Sequence, residues 1–195
     1  MAQDQQGRDT YHHGNLPEAL VREGARLLAE AGAEGFSLRK LAERTGVTVA
    51  APSHHFGSAK GLLTAIATRG FEKLDHQMDV AASSANSPSD AVIAMCIAYL
   101  RMRTTHPGYA DVMFQLNLLD ARDERFRASA FRAFGKLETA LAAALPTSLA
   151  ADQIALKAKA IWAATHGLSV LPMIDGPESE RIIEAVVAAQ LGGSP

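Results

Sequence analysis

Residues 37–63, SLRKLAERTGVTVAAPSHHFGSAKGLL, decide how the rest of the chain is read. Ser37 is placed to cap a short helix that buries Leu38, Leu41 and Ala42, because a cap serine accepts a hydrogen bond from a first-turn N–H that has no helical partner. Gly46 stops that helix, glycine being the residue that takes the left-handed conformation of a helix end. Thr48 is placed to cap the next helix, and Pro52 falls early in it, where a missing backbone donor costs least. Val47 lies between the two helices as an apolar anchor. Two short helices joined by Thr45-Gly46-Val47-Thr48 make a helix-turn-helix pattern, whose second helix enters a major groove. So short a helix carries few core residues, which leaves its outer side free. Thr48, Val49 and Ala50 are small enough to let the backbone approach base edges and thymine methyls. His54 and His55 lie further along, where imidazole reaches phosphates. A helical hairpin that binds no DNA would share the same spacing.

Charge supports the nucleic-acid reading without deciding it. Residues 35–73 hold six basic side chains against two acidic ones, in a chain of net charge −2. Such a local excess is either a nucleic-acid footprint or a solvated helical face.

Outward from this stretch the pattern is helical throughout. Upstream, Asn15 and Glu18 are spaced as a capping box, Pro17 suits a first turn, and Leu20, Gly24, Leu27, Leu28 and Ala31 share one face up to a left-handed cap at Gly32. Downstream, Ser58 opens a longer helix, Ala59 to about Val80. Its apolar stripe is Leu62, Leu63, Ile66, Ala67, Gly70, Phe71, Leu74 and Met78. The stretch AASSANSPSD, residues 81–90, reads as a linker. Helices are predicted beyond it at about 89–105, 109–119, 123–145, 152–171 and 177–191. The last two, containing AKAIWAATHGLSVL and IIEAVVAAQL, are apolar on more than one face. They pack either against a second subunit or wholly inside their own. Ile161, Ile182, Ile183, Val186 and Val187 are the candidates for a dimer interface.

Composition limits the function further. The 195 residues, 48% hydrophobic, can build a real core. The single Cys96 forms no internal disulfide and no thiolate cluster, and its apolar neighbours mark it as a small core residue. No apolar h-region opens the chain and no apolar run approaches a membrane span, so a cytoplasmic protein without membrane association is expected. The seven His include two adjacent pairs, His12/His13 and His54/His55, but no i, i+4 pair that offers two ligands on one face; no metal site and no cofactor are expected. No Ser-His-Asp arrangement, phosphate loop or paired carboxylates can be assigned, so no catalytic residue is named. His166 follows Trp162 by one helical turn. It is either a core His bonded to a backbone carbonyl or a polar group in a ligand pocket walled by the Trp.

GFSLRKLAERTGVTVAAPSHHFGSAKGLLTAIA resembles the DNA-binding domain of the TetR/AcrR family of bacterial transcriptional repressors. The likeness runs from about Tyr11 to about Leu74 and lies in Phe36-Ser37-Leu38, Leu41-Ala42, Gly46-Val47, His55-Phe56-Gly57 and Leu62-Leu63, in that order. IWAATHGL is similar to the Trp–His–Gly signature of one subset of TetR C-terminal ligand domains, through Trp162, His166 and Gly167. The resemblance implies an all-α homodimer of about nine helices per subunit, with a three-helix helix-turn-helix head and a larger ligand-binding and dimerisation domain. The expected division is a flexible arm at 1–10, a head at 11–78 and a body at 89–191. Ser37 and Arg39 are then expected at phosphates, Thr48, Val49 and Ala50 at bases, and Ser53, His54, His55 and Lys60 along the backbone of operator DNA. Two positions depart from the family: Ser53 stands where a phosphate-gripping Tyr is usual, and Ala59 where a Lys is usual, with Lys60 one position on as its substitute.

The expected function is a DNA-binding repressor released by a small, largely apolar effector. Met95, Tyr99, Met102, Met113, Phe114, Trp162, His166 and Met173 supply the adaptable Met, flat aromatics and sparse polar groups of a ligand pocket. The alternative is a helical ligand-binding or adaptor protein that has lost operator binding.

Overall fold

The computed structural model describes residues 15–171 and 176–192. The expectations for the arm at 1–10, for His12 and His13, and for Met173 lie outside the described residues. Among the described residues there are nine α-helices and no strand. They are α1 (Leu16–Gly35), α2 (Leu38–Thr45), α3 (Ala50–Phe56), α4 (Ala59–Ser83), α5 (Pro88–Thr105), α6 (Pro107–Met113), α7 (Glu124–Ala144), α8 (Ala151–Val170) and α9 (Gly176–Leu191). A 3-10 turn covers Leu116–Leu118. Among the described residues no helix is long and apolar enough to cross a membrane.

Local rules account for most helix ends. The Asn15 side chain accepts from the Glu18 N–H at 3.4 Å and its amide donates to the Glu18 carboxylate at 2.6 Å. Ser37, Ser58, Ser87 and Asp123 each cap the helix that follows, accepting from the N–H three residues on. Gly46 ends α2 with φ 68° and ψ 25°, and the Val47 N–H returns to the Ala42 carbonyl at 3.1 Å. That left-handed residue reverses the chain tightly enough to set α3 across α2. Arg44 reaches back from α2 to both Glu23 and Glu30, tying it to α1.

Three expectations are corrected. Gly32 has φ 65° but ψ −179°, so it kinks α1 rather than capping it, and one further turn follows to Gly35. Thr48 does not cap α3 through its side chain. Its carbonyl accepts from the Ala51 N–H at 3.0 Å, the helix starts at Ala50, and the cap residue is Val49, which has no side-chain acceptor. The stretch read as a linker is mostly helix. Ala81 and Ala82 extend α4 to Ser83, and Ser87 starts α5 at Pro88, leaving only 84–87 between them.

That short turn lets α4 fold straight back on α5, so α4 is shared by head and body. Its expected stripe is buried along its whole length, from Leu62 to Met78. The early part packs on α1 and α3, the later part on α5, α6 and α7. One apolar core therefore runs from Leu20 in α1 to Val187 in α9. A second junction joins α1 to α6. A Cβ at Gly108 would stand 1.8 Å from the Ala25 carbonyl oxygen, so the two backbones meet where only glycine fits.

Candidate functional site

The helix-turn-helix leaves one face open. α3 buries Pro52 alone, whereas Thr48, Val49, Ala50, Ser53, His54 and His55 are exposed. Val49 is 57% exposed at the tip of the turn, between two other small side chains. Arg39 and Lys60 flank this face, both exposed. Arg39 Nε donates to Glu43 at 3.1 Å, a surface pair worth about 0–1 kcal/mol, so a phosphate can replace the Glu at little cost. Lys60 makes no ion pair among the described residues. The Ser37 hydroxyl oxygen accepts from the Lys40 N–H at 3.2 Å, which leaves its hydrogen to donate outward. Eight of the nine candidate DNA-contacting residues are exposed, and Ser37, at the start of α2, is half-buried.

A cavity of about 280 Å³ lies in the body. α5 contributes Tyr99, Met102 and Arg103; α6 and its end contribute Ala110, Asp111, Met113, Phe114 and Gln115. α8 closes it with His166, Ser169 and Val170, and α4 with Leu74. Its polar groups are already paired. His166 Nδ1 and the Tyr99 hydroxyl are 2.8 Å apart, and Arg103 meets Asp111 at 3.2 Å. Burial pushes the Tyr99 hydroxyl well above its ordinary pKa, against the opposite pull of Ser169 and Arg103. Burial, helped by Arg103, holds His166 below its ordinary value. A neutral imidazole with its proton on Nε2 accepts the Tyr99 hydroxyl hydrogen and keeps one donor for a ligand. The Phe114 ring lies tilted against His166, with centroids 4.4 Å apart, and is exposed at the rim.

Five of the eight residues proposed for a pocket therefore meet at one cavity: Tyr99, Met102, Met113, Phe114 and His166. Two stand elsewhere. Trp162 packs edge-on between Tyr99 and Phe134, with ring centroids 5.1 Å and 5.7 Å away, behind the cavity wall. Met95 is buried on the far side of α5, toward Lys136 of α7. His166 is bonded to a hydroxyl and not to a carbonyl. Arg103, Asp111, Gln115, Ser169 and Leu74 were not anticipated. Ser169 and Val170, three and four residues after His166, could have been found from helical spacing. The Arg103–Asp111 pair spans two helices and has no local signal. Cys96 is buried, its thiol pushed up to about 11 by desolvation against a weaker hydrogen bond with Thr165, as suits a core residue. Among the described residues no group of three or more His, Cys, Asp or Glu is arranged to hold a metal ion.

Comparison with known proteins adds to this geometry. Residues 20–66 match the model for bacterial regulatory proteins of the tetR family, and residues 92–191, more than half of the chain, match the tetracyclin repressor-like C-terminal domain. The chain belongs to the TetR family. A protein of unknown function from Rhodococcus sp. RHA1 is 26% identical, with TM-score 0.77 over 94% of this chain and 97% of that one. The TetR family transcriptional regulator PfmR from Thermus thermophilus is 22% identical, with TM-score 0.66 over 90% and 98%. The transcriptional regulator FadR from Bacillus subtilis, solved in complex with stearoyl-CoA, is 12% identical, with TM-score 0.70 over 91% and 99%. No curated protein matches the sequence. The chain is thus a DNA-binding regulator of TetR type, the helix-turn-helix forming its head and the ligand-binding domain its body.

In this TetR chain the two last helices are not turned as expected. Ile161, Ile183 and Val187 are each 0% exposed within the single chain, facing its own core, so a partner subunit has no access to them. α8 and α9 pack on α5 and on each other, and that packing takes the branched side chains inward. Ile182 and Val186 are half-buried at the edge. The outward face of α8 is a different apolar stripe: Leu156, 69% exposed, then Ala160, Ala163 and Val170. Gly167 lies between the last two, and a Cβ there would meet nothing within 4 Å. Spacings of four, three, four and three residues keep all five on one side.

Proposed function

We propose that this TetR regulator is a homodimeric repressor, released from its operator when a small, largely apolar molecule occupies the cavity between α5, α6 and α8. The observation that carries this reading is the double duty of α6. Ala110, Met113 and Phe114 line the cavity, while Gly108 of the same short helix rests on Ala25 of α1. A ligand that displaces α6 displaces the head. Leu74 gives the ligand a second hold, on α4, which begins where α3 ends. Two heads in a dimer read half-sites about 34 Å apart or a multiple of it, so tilting them changes operator affinity. A ligand acts only through its preference for the released spacing, and a coupling of about 1–3 kcal/mol loosens the operator roughly 5- to 150-fold.

The lining suggests the ligand class. Met102, Met113 and Phe114 offer adaptable apolar contact, and the Tyr99–His166 pair offers one polar anchor. At about 280 Å³ the cavity lies just below the usual range of ligand pockets, roughly 300–1,000 Å³, so the effector is smaller than the stearoyl-CoA bound by FadR. The outward stripe of α8 is the proposed dimer face, where alanine and glycine let two backbones approach. The reading places the protein in the cytoplasm with the DNA and gives it no catalytic step and no cofactor.

The test uses the full chain. Genomic fragments selected by binding supply the operator, and a screen of small apolar compounds by thermal shift supplies the effector. Linkage requires operator and effector to weaken each other by the same factor. An effector whose affinity is unchanged by operator rules the mechanism out. Failure to retain any genomic fragment in a mobility-shift assay favours the adaptor reading.

A further inference from the structure

A second cleft, of about 360 Å³, lies between α1, α4 and the start of α6, apart from both the DNA-reading face and the ligand cavity. Arg22 and Arg26 enter it from α1, Arg69 and Lys73 from α4, and His106 and Tyr109 from the other side. Glu18 is the one carboxylate lining it. In a chain of net charge −2, this concentration of cations does not follow from composition.

The cations are only partly neutralised. Arg22 has no hydrogen-bond or ion-pair partner among the described residues. Lys73 Nζ stands over the Tyr109 ring, 5.5 Å from its centroid, a contact that leaves its charge uncancelled. Arg26 is paired with Glu23 at 3.1 Å, and Arg69 with Glu18 at 3.2 Å and Glu72 at 3.1 Å. These are surface pairs, which give way to a stronger anion at little cost. Burial raises the Tyr109 hydroxyl, and Glu18 adds to this, against the pull of Arg69, Arg22 and Arg26, three cations that line the same cleft. No residue of α2 or α3 lines the cleft, and its volume is too small for a duplex.

We propose that this cleft binds a small phosphate-bearing anion, free phosphate or a phosphate monoester, held by Arg22 and Lys73 with Arg26 and Arg69 at its flanks. A dianion offers enough oxygens for guanidinium forks and an ammonium together. Arg22 and Arg26 belong to the head, His106 and Tyr109 to the body. The anion therefore bridges the two and stabilises their present arrangement by mass action. This is a site for a second class of effector, polar where the body cavity is apolar.

The full chain, in chloride of matched ionic strength, is titrated with inorganic phosphate, with glycerol phosphate and with acetate, and is followed by calorimetry and thermal melting. Saturable heat and a rising Tm are expected with the two phosphates and not with acetate. Tighter binding of glycerol phosphate identifies a monoester as the occupant, and equal or weaker binding identifies free phosphate. Arg22→Gln and Lys73→Met, which keeps the stem on Tyr109, should each weaken phosphate about tenfold and leave the Tm in chloride unchanged. No saturable response in the wild type overturns the proposal, as does wild-type affinity in both variants. Non-operator duplex DNA that displaces phosphate, and is itself weakened by the same substitutions, assigns these cations to the DNA backbone and also overturns it.

Discussion

The fold leaves open the face around α3 and the outer side of α8, and it leaves them open in opposite ways. Around α3 the exposed residues are Thr48, Val49, Ala50, Ser53, His54 and His55, with Arg39 and Lys60 at the flanks. Along α8 beyond its first turn they are Leu156, Lys159, Ala160, Ala163 and Val170, with half-buried Gly167 among them. The first offers hydrogen bonds and positive charge over a small area, which suits a polyanion read at close range. The second offers apolar area and close backbone approach, with the one cation Lys159 at its edge, which suits another protein surface. Exposure alone would not separate them; the chemistry of what is exposed does.

The largest effect expected tests which side of α8 and α9 is open. Ile183→Asp puts an unpaired charge into the core and should cost about 3–5 kcal/mol, enough to lose most helicity by circular dichroism. Ala163→Glu, on the outward stripe, should keep the helicity and convert a dimer to monomers by light scattering. If Ala163→Glu unfolds the chain, or leaves it dimeric at micromolar concentration, the α8 face is misassigned.

A smaller effect tests the α3 face. Arg39→Ala and Lys60→Ala should each weaken binding to every DNA sequence and lower the salt slope by about one. Thr48→Val should instead change the preference among bases, by about 1–3 kcal/mol at one position. Dimerisation through α8 should show almost no salt dependence. Salt slopes untouched in both cation variants would break the contrast between the two faces.

The smallest effect concerns the cavity behind the α8 stripe. His166 has its pKa lowered by burial, so the unfolded chain binds a proton more readily than the folded one. Stability is therefore free of this penalty above the ordinary His value, about 6.5, and falls as the pH drops below it. His106 is shifted the same way, by burial and by Lys73. His166→Gln should flatten part of the slope of Tm between about pH 7 and pH 5. Adding His106→Gln should flatten more of it. Identical slopes in all three proteins would show that neither imidazole is held neutral by the fold.

The sequence was most legible where structure depends on neighbours along the chain. Ser37, Ser58, Asn15 and Asp123 declare helix starts, Gly46 declares a turn, and the stripe from Leu62 to Met78 declares a buried helix. Thr48 misled because a residue well suited to capping yielded to a start two positions later, with the side chain left outward. The linker misled because Ser and Asn are common in loops, while Ala81 and Ala82 sustain α4 and Ser87 caps α5. For α8 and α9, periodicity shows that a helix has two apolar faces and does not say which one its own chain will cover; burial took Ile161, Ile183 and Val187 and left the smaller residues outside. The cavity was half legible. Tyr99, Met113 and His166 stood out by type, but the Arg103–Asp111 pair and Leu74 come together only in three dimensions, and Trp162 has a pocket wall's shape with a spacer's position.

The glycine at 108 has a further consequence, for interchange of parts. Where α1 meets α6, main chain lies on main chain, with the Ala25 carbonyl and the Ala29 amide against a residue that has no side chain. A seam of this kind encodes almost no lock-and-key information, since it asks of each side only smallness and a helix. Heads and bodies from different TetR chains that keep a small residue at 25 and 29 and a glycine at 108 should therefore couple across this seam without being redesigned. A single added methyl at 108 should force this seam apart and leave α4 alone to carry the coupling, which makes this position the natural place to weaken the link between sensor and reader.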